Sequence, residues 1–361
     1  MKQYRQFESE ILQAIKRVFN SGRYILAEEC ASFESEFASY CKARFAIAVA
    51  SGTEALYLSL KALNIGDGDE VITSTFTPIP TVSAIIAAGA KPVLVDINKD
   101  DFLMDLNQLK DAMSFRTKAI IPVHLFGDIM NMNMLLGIAH KHRLFVVEDA
   151  CQAHGSAYKG KKAGSFGELG CFSFYPTKNI GGYGDGGMVI TDNLKLEKRL
   201  KLLRDYGKDS PFTAILPGIN SRLDEIQAAV LRVKLQYLDK FNEKRRKLAR
   251  IYCTRLKNTP LKLPIPGKDI YHNYHVFAIG CGSERDKLMS YLKENKIQTN
   301  IYYPIGIHLQ KAYRYLGYKR GDFPACEKAC KEVLALPIYP ELELKTVEMI
   351  SNKIIGFFNK E

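Results

Sequence analysis

One lysine stands out because of the residues on either side of it. Lys178 follows Pro176 by two positions, and five glycines occupy the seven positions 181–187. A strand-like run of aromatic residues ends just before the proline. A lysine at the end of a strand, on such a loop, can form a Schiff base with an aldehyde cofactor. The alternative is a solvated lysine in an ordinary turn, and this segment taken alone favours the turn.

A phosphate site is predicted at Ser51-Gly-Thr53, where a short apolar strand turns directly into a helix. The first backbone N–H groups of a helix have no partner inside the helix, and the helix dipole puts partial positive charge there. Gly52 and Thr53 therefore suit an anion such as a phosphate. Ordinary capping by Ser51 or Thr53 explains the same residues equally well.

Asp149 follows the apolar run 144–147 and Glu148. A carboxylate that emerges from a buried strand is costly unless it has a cationic partner. The protonated nitrogen of a pyridine ring is such a partner, and the pairing lets the ring accept electrons. The alternatives are a structural aspartate paired with an arginine and a metal ligand. No second cluster of acidic residues or histidines accompanies Asp149, so no metal site is predicted.

Polar residues in two further segments complete the pattern. Ser173 lies five residues before Lys178, on the side of the sheet expected for the phosphate. Asn220 and Arg222 directly precede a helix. One interpretation is that they cap this helix. The other is that they bind a phosphate, which can belong to a second subunit. A phosphate cradle, a carboxylate for a pyridine nitrogen and a loop lysine are the requirements of pyridoxal 5'-phosphate. Their order along the chain predicts this cofactor.

Composition narrows the class of protein. The chain has 361 residues, of which 47% are hydrophobic, and a net charge of +12. No apolar run reaches the ~18 residues of a membrane span, so no membrane association is expected. The basic residues are spread over the helices, which disfavours nucleic acid and suits a phosphorylated small molecule. The eight cysteines form no CxxC pair, and the polar N-terminus indicates no secretory signal, so we expect free thiols in the cytoplasm.

Strand-like and helix-like segments alternate from residue 45 to residue 191. This alternation predicts an α/β fold with a mostly parallel mixed sheet between helices, and ligands bound beyond the carboxyl ends of the strands. After residue 193 we expect one long helical stretch from Leu223 to about Leu256, a strand at 298–303 and a helix at 324–334. The predicted domains are a large one at residues 1–240, which includes N-terminal helices at 5–20 and 30–41, and a smaller α+β one at 241–361.

Several motifs agree with one known family. They are SGRYIL at 21–26, SGTEAL at 51–56, EDACQ at 148–152, SFYPTKN at 173–179, GDGG at 184–187, NSRLDEIQAA at 220–229, YP at 303–304 with HLQ at 308–310, and GDFP at 321–324. Through these motifs, nearly the whole chain resembles the DegT/StrS family of nucleotide-sugar aminotransferases. The resemblance implies the type I fold of pyridoxal-phosphate-dependent transferases and a homodimer with active sites at the interface.

The resemblance also implies a role for each site residue. Lys178 would form the Schiff base, Asp149 would pair with the pyridine nitrogen, and Gln152 would lie against the cofactor's phenolic oxygen. The phosphate would be held by Thr53, the backbone N–H of Glu54, Ser173 and, from the second subunit, Asn220.

Two departures from the family pattern are visible. The family usually has an aromatic residue after the strand at 70–74, where it stacks on the pyridine ring, and here Pro78 stands near that position. Either the proline covers the ring or Phe76 takes over. In addition, Ala27 stands where the family usually has glycine.

The reaction implied by the resemblance is a ping-pong transfer of an amino group from L-glutamate to a nucleotide-linked keto-sugar, with Lys178 as general acid and base. Tyr175, where members acting at C4 tend to have histidine, favours C3 of a dTDP- or UDP-linked 3-keto-(6-deoxy)hexose or 3-keto uronic acid. The alternative is the same chemistry at C4 of a 4-keto-6-deoxy sugar.

Four residues are candidates for the sugar side of the site: Tyr183, Arg222, Tyr303 and His308. A packed strand end explains Tyr303 and His308 equally well, and His124 and His154 are expected to be structural. Other reaction classes are disfavoured. Sugar dehydratases of the family carry histidine in place of the lysine, and no GxGxxG links a strand to a helix, as an NAD site requires. A third alternative is a regulatory protein that keeps the fold but not the catalysis. The presence of the lysine, the aspartate and the phosphate site together disfavours it.

Overall fold

The computed structural model describes residues 2–359, and of Lys2 only the backbone. Its strands are β1 (Phe45–Val49), β2 (Glu70–Ser74), β3 (Lys91–Val95), β4 (Thr117–Ile121), β5 (Phe145–Asp149), β6 (Ala157–Tyr158), β7 (Lys161–Lys162), β8 (Leu169–Ser173), β9 (Gly187–Thr191), β10 (Lys208–Ser210), β11 (Thr213–Ala214), β12 (Ile270–Tyr271), β13 (Phe277–Gly280) and β14 (Val333–Leu336).

The helices surround these strands. They are α1 (Lys2–Ser21), α2 (Glu28–Cys41), α3 (Gly52–Ala62), α4 (Ile79–Ala87), α5 (Leu109–Ala112), α6 (Met132–His142), α7 (Leu194–Leu203), α8 (Glu225–Leu235), α9 (Leu238–Leu256), α10 (Arg285–Glu294), α11 (Pro324–Glu332) and α12 (Leu344–Phe358). Within residues 2–359, no helix is long and apolar enough to cross a membrane.

A seven-stranded sheet forms the centre of the fold, in the order β1-β9-β8-β5-β4-β2-β3. Strands β8, β5, β4, β2 and β3 run parallel, and β9 is antiparallel to both of its neighbours. Strand β1 therefore points the same way as β8, and the carboxyl ends of β1, β2, β5 and β8 meet at one edge. The predicted mostly parallel mixed sheet is confirmed.

Both faces of this sheet are buried under helices. In β1, Ala46 and Ala48 face one hydrophobic cluster while Ile47 and Val49 face another, because successive side chains of a strand point to opposite faces. The first cluster includes residues of α2 and α8, and the second includes residues of α3, α4 and α7. Helix α1 packs outside α8 through Phe7, Ile11, Ala14 and Val18.

The C-terminal part has its own core, formed mainly by α9, α10, α12 and the antiparallel pair β13–β14. Leu248, Tyr252, Phe277 and Leu288 are buried there. This separate core supports the proposed division into a large and a small domain. The boundary at residue 240 falls inside α9 and stays a prediction.

The structure differs from the sequence prediction at three places. The helical stretch from 223 breaks between α8 and α9, so that α8 packs on the large sheet while α9 also reaches the second core. The predicted strand at 298–303 is a single bridge between Asn300 and Ala335, and Tyr303 at its end has φ 56°, outside the extended region. The predicted helix at 324–334 ends at Glu332, because Val333 begins β14.

Candidate active site

Lys178 lies in the loop between β8 and β9, at the edge where the carboxyl ends of the parallel strands meet. The loop folds back on itself: the Gly182 N–H donates to the Phe174 carbonyl at 2.7 Å, and the Lys178 N–H donates to the Tyr175 carbonyl at 2.9 Å. A Cβ on Gly181 would lie 2.4 Å from the Pro176 carbonyl oxygen. This approach is too close for any side chain, so the turn after the lysine requires glycine.

Helix α8 holds this loop through two side chains on one of its faces. Gln227 accepts a hydrogen bond from the Tyr183 N–H at 2.8 Å through Oε1. Seven residues later, Lys234 donates from Nζ to the Gly181 carbonyl, and its Nζ lies 4.7 Å from the centroid of the Tyr183 ring. The ammonium group is desolvated, which lowers the pKa of Lys234 to about 8. The position of Lys178 is therefore set by a helix distant from it in sequence.

The amine of Lys178 is itself desolvated. Burial lowers its pKa, and the neighbouring Cys151 and Asp149 partly offset this effect by raising it. A lower pKa increases the fraction of neutral amine near pH 7, which is the form that attacks a carbonyl carbon and accepts a proton. The structure thus gives Lys178 the properties of a nucleophile and a base.

Asp149 is the last residue of β5 and is only 4% exposed. Its Oδ2 accepts a hydrogen bond from the Thr81 hydroxyl at 2.8 Å, and its Oδ1 accepts one from the Cys151 N–H at 3.2 Å. Among the described residues, no arginine or lysine forms a salt bridge with Asp149. Asp149 is therefore not paired with an arginine, as one interpretation of the sequence required. Its carboxylate is available to a cationic ligand.

Gln152 connects the loop after β5 to two other segments. Its Oε1 accepts a hydrogen bond from the Phe126 N–H at 2.7 Å, and its Nε2 donates to the Tyr303 hydroxyl at 2.8 Å. The Tyr303 ring packs edge-to-face on Phe76 and nearly parallel to Phe126. Tyr303 therefore belongs to the same site as Gln152.

The first turn of α3 lies against the end of β8. A Cβ on Gly52 would come within 2.6 Å of the Ser173 Cβ, so glycine is needed for this contact. Ser51 caps the helix by accepting a hydrogen bond from the Glu54 N–H at 3.2 Å. The capping interpretation is thus correct for Ser51, and the cap occupies the Glu54 N–H that was predicted to hold the phosphate. Ser51 does not cap the N–H groups of Gly52 and Thr53, which keep the predicted role of a phosphate cradle.

Four residues that were predicted for the site lie away from Lys178, Asp149, Gln152 and Ser173. They are Asn220, Arg222, Tyr183 and His308. Asn220 is exposed, and Arg222 donates from Nη1 to Asp205 Oδ1 at 2.9 Å. Tyr183 is 45% exposed and packs edge-to-face on Tyr4 of α1.

His308 is buried, and its ring nitrogens lie 3.0 Å from the Thr75 hydroxyl and 3.2 Å from Glu327 Oε1. Both ring nitrogens are therefore engaged within the protein. His308 can therefore affect a bound sugar only indirectly, by positioning Thr75 and Glu327.

Phe76 and Pro78 differ in their surroundings. Phe76 is 1% exposed and is enclosed by the rings of Phe102, Phe126 and Tyr303. Pro78 is half-buried and directly precedes α4, the helix that contains Thr81. The surroundings of Phe76 are thus filled by other rings, and which of the two residues covers a ring bound at Asp149 stays open, as it was from the sequence.

Some residues of the site were not identified from the sequence. Thr81, which orients Asp149, lies three residues after Pro78, and Asn179, which is buried directly after Lys178, is the last residue of the motif at 173–179. No local pattern marks their partners, because these come from distant segments. His124 pairs with the buried Glu148 at 2.9 Å, and Glu148 also accepts N–H groups of Gly164, Phe166 and Gly167, which supports a structural role for His124.

The residues fit pyridoxal phosphate. The donor set consists of a desolvated amine with a lowered pKa on the half-buried Lys178, a buried carboxylate that forms no salt bridge within residues 2–359, and a helix N-terminus that approaches Ser173 too closely for any residue but glycine. Each satisfies one requirement of an aldehyde cofactor that bears a pyridine nitrogen and a phosphate. Among residues 2–359, no three or more His, Cys, Asp or Glu side chains are grouped as a metal site.

Known proteins are similar to this chain over nearly its whole length. Residues 5–355 match the DegT/DnrJ/EryC1/StrS aminotransferase family. A dTDP-3-amino-3,6-dideoxy-alpha-D-galactopyranose transaminase of Aneurinibacillus thermoaerophilus is 44% identical over 345 residues, which are 96% of this chain and 94% of that protein. A pleiotropic regulatory protein of Geobacillus stearothermophilus is 42% identical over 360 residues, 99% of this chain and 96% of that one.

A solved structure is similar to this chain in fold and in sequence. The crystal structure of S. venezuelae DesV in complex with a ketimine intermediate superposes with a TM-score of 0.96 at 40% identity and covers 99% of this chain and 96% of that one. The chain therefore belongs to the DegT/DnrJ/EryC1/StrS family and is a pyridoxal-phosphate-dependent sugar aminotransferase of type I fold.

Proposed function

We propose that this protein transfers an amino group from L-glutamate to C3 of a dTDP- or UDP-linked 3-keto-(6-deoxy)hexose. The observation that carries the proposal is Asp149, a buried carboxylate that forms no salt bridge within residues 2–359 and lies near the desolvated amine of Lys178. The Aneurinibacillus relative is named for a product aminated at C3, and Tyr175 supports the same position. Amination at C4 of a 4-keto-6-deoxy sugar is the alternative.

The residues divide the work of the reaction. When bound, pyridoxal phosphate supplies an electron sink that stabilises negative charge at the Cα of the amino donor. Asp149, oriented by Thr81, holds a proton on the ring nitrogen. Lys178, with its lowered pKa, takes the proton from the donor's Cα and later returns a proton at the sugar carbon that receives the amine. Gln152 would lie against the phenolic oxygen, and Gly52, Thr53 and Ser173 would hold the phosphate. The Glu54 N–H would join them only by leaving its hydrogen bond to Ser51.

The sugar side of the site is part of the proposal. Tyr303 is the strongest candidate, because its hydroxyl accepts the Gln152 hydrogen bond. Tyr183 and Arg222 stay candidates for the sugar side: Tyr183 is 45% exposed, and Arg222 is half-buried and bound to Asp205. His308 is proposed as a positioning residue for the segment 303–308.

A homodimer completes the proposal. Asn220 is exposed beside the β10–β11 hairpin, on which Phe212 is 101% exposed and Ile215 59% exposed. Large apolar side chains at such exposure are typical of a surface that meets a partner. We propose that this hairpin reaches the second subunit and that Asn220 binds the phosphate there. All eight cysteines are free thiols, which supports a cytoplasmic location.

Colour provides the first test. We expect the protein with pyridoxal phosphate to be yellow and L-glutamate to bleach it, since the cofactor accepts the amine. Lys178→Ala is expected to stop turnover, while replacing the exposed Lys110 on α5 by alanine leaves it unchanged. A protein that never binds the cofactor, or a fully active Lys178→Ala, would contradict the proposal. Amination of dTDP- and UDP-linked 3-keto and 4-keto sugars then decides the position.

A further inference from the structure

The turn from β1 to α3, where the phosphate is predicted to bind, is enclosed by residues that are distant in sequence. A Cβ on Gly187, the first residue of β9, would lie 2.3 Å from the Ser51 carbonyl oxygen. A Cβ on Gly52 would come within 2.9 Å of the Cys151 sulfur. A third segment contributes Ser221, which is 0% exposed.

The hydroxyl of Ser221 binds residues on both sides of this turn. Its Oγ accepts a hydrogen bond from the Ala50 N–H, just before the turn, at 3.2 Å. The same hydroxyl donates to Oε2 of Glu54, which lies in the first turn of α3. One buried hydroxyl therefore joins the residue before Ser51 to the residue after Thr53.

The backbone of Ser221 is itself fixed. Its N–H donates to the Arg204 carbonyl at 2.9 Å. Arg204 in turn donates from Nη1 to the Ala48 carbonyl of β1 at 2.9 Å and pairs with Glu34. The hydroxyl is thus presented to the turn from a rigid support. Ser221 therefore determines where the Glu54 carboxylate lies, because the serine cannot follow a movement of Glu54.

The carboxylate of Glu54 needs such a partner because of its charge. A carboxylate in the first turn stabilises a helix through the helix dipole. A phosphate at the N–H groups of Gly52 and Thr53 brings a second negative charge to the same helix end, and nearby like charges repel each other. The bond to Ser221 keeps Glu54 Oε2 beside the segment 220–222. Without this bond, the carboxylate would be free to turn toward the phosphate.

We propose that Ser221 is a positioning residue for the cofactor phosphate: its hydroxyl holds the Glu54 carboxylate, so that this negative charge stays away from the phosphate at Gly52 and Thr53. The proposal rests on the phosphate site of the proposed function and deepens it. The role of Ser221 differs from that proposed for Asn220, because Ser221 acts within its own chain and through Glu54.

A comparison of two aldehydes tests the proposal. Pyridoxal 5'-phosphate and pyridoxal differ only in the phosphate, so the ratio of their dissociation constants measures what the phosphate contributes to binding. Titration of the cofactor-free protein, followed by visible absorbance, gives both constants. In the unchanged protein, we expect the phosphate to strengthen binding. In Ser221→Ala, the ratio should fall about tenfold, as expected for the loss of one hydrogen bond to a charged group, with the affinity for pyridoxal unchanged.

Ser351→Ala is the matched control. Ser351 is also 0% exposed, and its hydroxyl donates to the Val347 carbonyl within α12, in the second core. Its removal deletes a buried hydrogen bond of the same kind without touching the turn. We expect the ratio in Ser351→Ala to equal that of the unchanged protein.

A second substitution tests the role of the charge. Adding Glu54→Gln to Ser221→Ala removes the negative charge that has lost its partner, so the ratio should return to that of the unchanged protein. A ratio that stays low in the double variant would show that Ser221 does not act through the charge of Glu54, and would overturn the proposal.

Two further results contradict the role of Ser221. One is an unchanged ratio in Ser221→Ala, and the other is an equal loss of affinity for both aldehydes, which a merely structural role would produce. If Ser221→Ala does not fold, Glu54→Asp decides, because its carboxylate is shorter by one methylene group and withdraws from Ser221 while keeping the charge. An unchanged ratio in Glu54→Asp overturns the proposal as well.

Failure of the proposed function gives a different result. If the unchanged protein binds both aldehydes equally, the phosphate site itself is contradicted. If it prefers pyridoxal 5'-phosphate and Ser221→Ala keeps the same preference, only the role of Ser221 is contradicted. Bleaching of the bound cofactor by glutamate is measured separately, and its absence contradicts the amino transfer.

Discussion

The side chain of Gln152 donates a hydrogen bond to the hydroxyl of Tyr303, 151 residues further along the chain, at 2.8 Å. Burial raises the pKa of this hydroxyl, so it stays protonated. Tyr303→Phe would leave the buried amide without its acceptor, at a cost of about 1–3 kcal/mol in the free energy of unfolding. We also expect kcat/KM for the keto-sugar to fall about tenfold.

Thermal unfolding and steady-state kinetics check this prediction. Tyr315→Phe is a matched control, because Tyr315 is 66% exposed. Equal behaviour of the two variants would show that the Gln152–Tyr303 contact has no role.

Asp149→Asn removes the negative charge that we assign to the pyridine nitrogen. The expected loss in kcat is about 10²- to 10³-fold, the range seen when one electrostatic partner of a reacting centre is removed. Thr81→Val keeps the carboxylate but deletes the hydroxyl that orients it, and should cost about tenfold. Single-turnover bleaching by glutamate measures both effects. A Thr81→Val variant as slow as Asp149→Asn would contradict the assignment of the charge to Asp149.

Gly181→Ala should disturb the loop of Lys178, because the new Cβ would lie 2.4 Å from the Pro176 carbonyl oxygen. Overpacking of this kind costs roughly 1–3 kcal/mol. We expect weaker cofactor binding, followed by the visible absorbance on titration with pyridoxal phosphate. Gly137→Ala in α6 is the control, because a Cβ at Gly137 would have no atom within 4 Å. We expect this substitution to raise the free energy of unfolding, measured in urea, by about 0.5–1 kcal/mol. Unchanged cofactor affinity in Gly181→Ala would refute the argument.

Lys234 predicts a pH dependence of stability. Burial lowers its pKa to about 8, from 10.5 for an ordinary lysine. Below about pH 8 both the folded and the unfolded chain carry the proton, and the cost of burying the charge is fully present. As pH rises from 8 to 10.5, only the unfolded chain still binds the proton, so the free energy of unfolding increases, by on the order of 3 kcal/mol.

Lys234→Met should lack this increase. Urea unfolding of the cofactor-free protein and of the variant at pH 7.5 and 10.5 gives the difference directly, because other groups titrate in both. Parallel pH profiles of the two proteins would show that the Lys234 amine is not desolvated.

The sequence determined the parts of this site that have a local cause. A strand that ends at Ser173 before a proline and glycines, a carboxylate at the end of β5 and a helix that begins at Gly52 are properties of short segments. Their chain order predicted the cofactor, the alternation of strands and helices predicted the mostly parallel sheet, and the resemblance of several motifs indicated the family. All three are confirmed. The assignments of Lys178, Asp149 and the phosphate residues remain predictions that the geometry supports.

Only the tertiary structure decided how these segments are held. Thr81 and Asp149 are 68 residues apart, Asn179 and His275 are 96 apart, and no periodicity encodes such pairs. The predicted strand at 298–303 was also wrong: it is a single bridge at Asn300, and Tyr303, with its positive φ, bonds to the distant Gln152. Segments acquire their type from neighbours in sequence, whereas side chains acquire their partners from the packing of the whole chain.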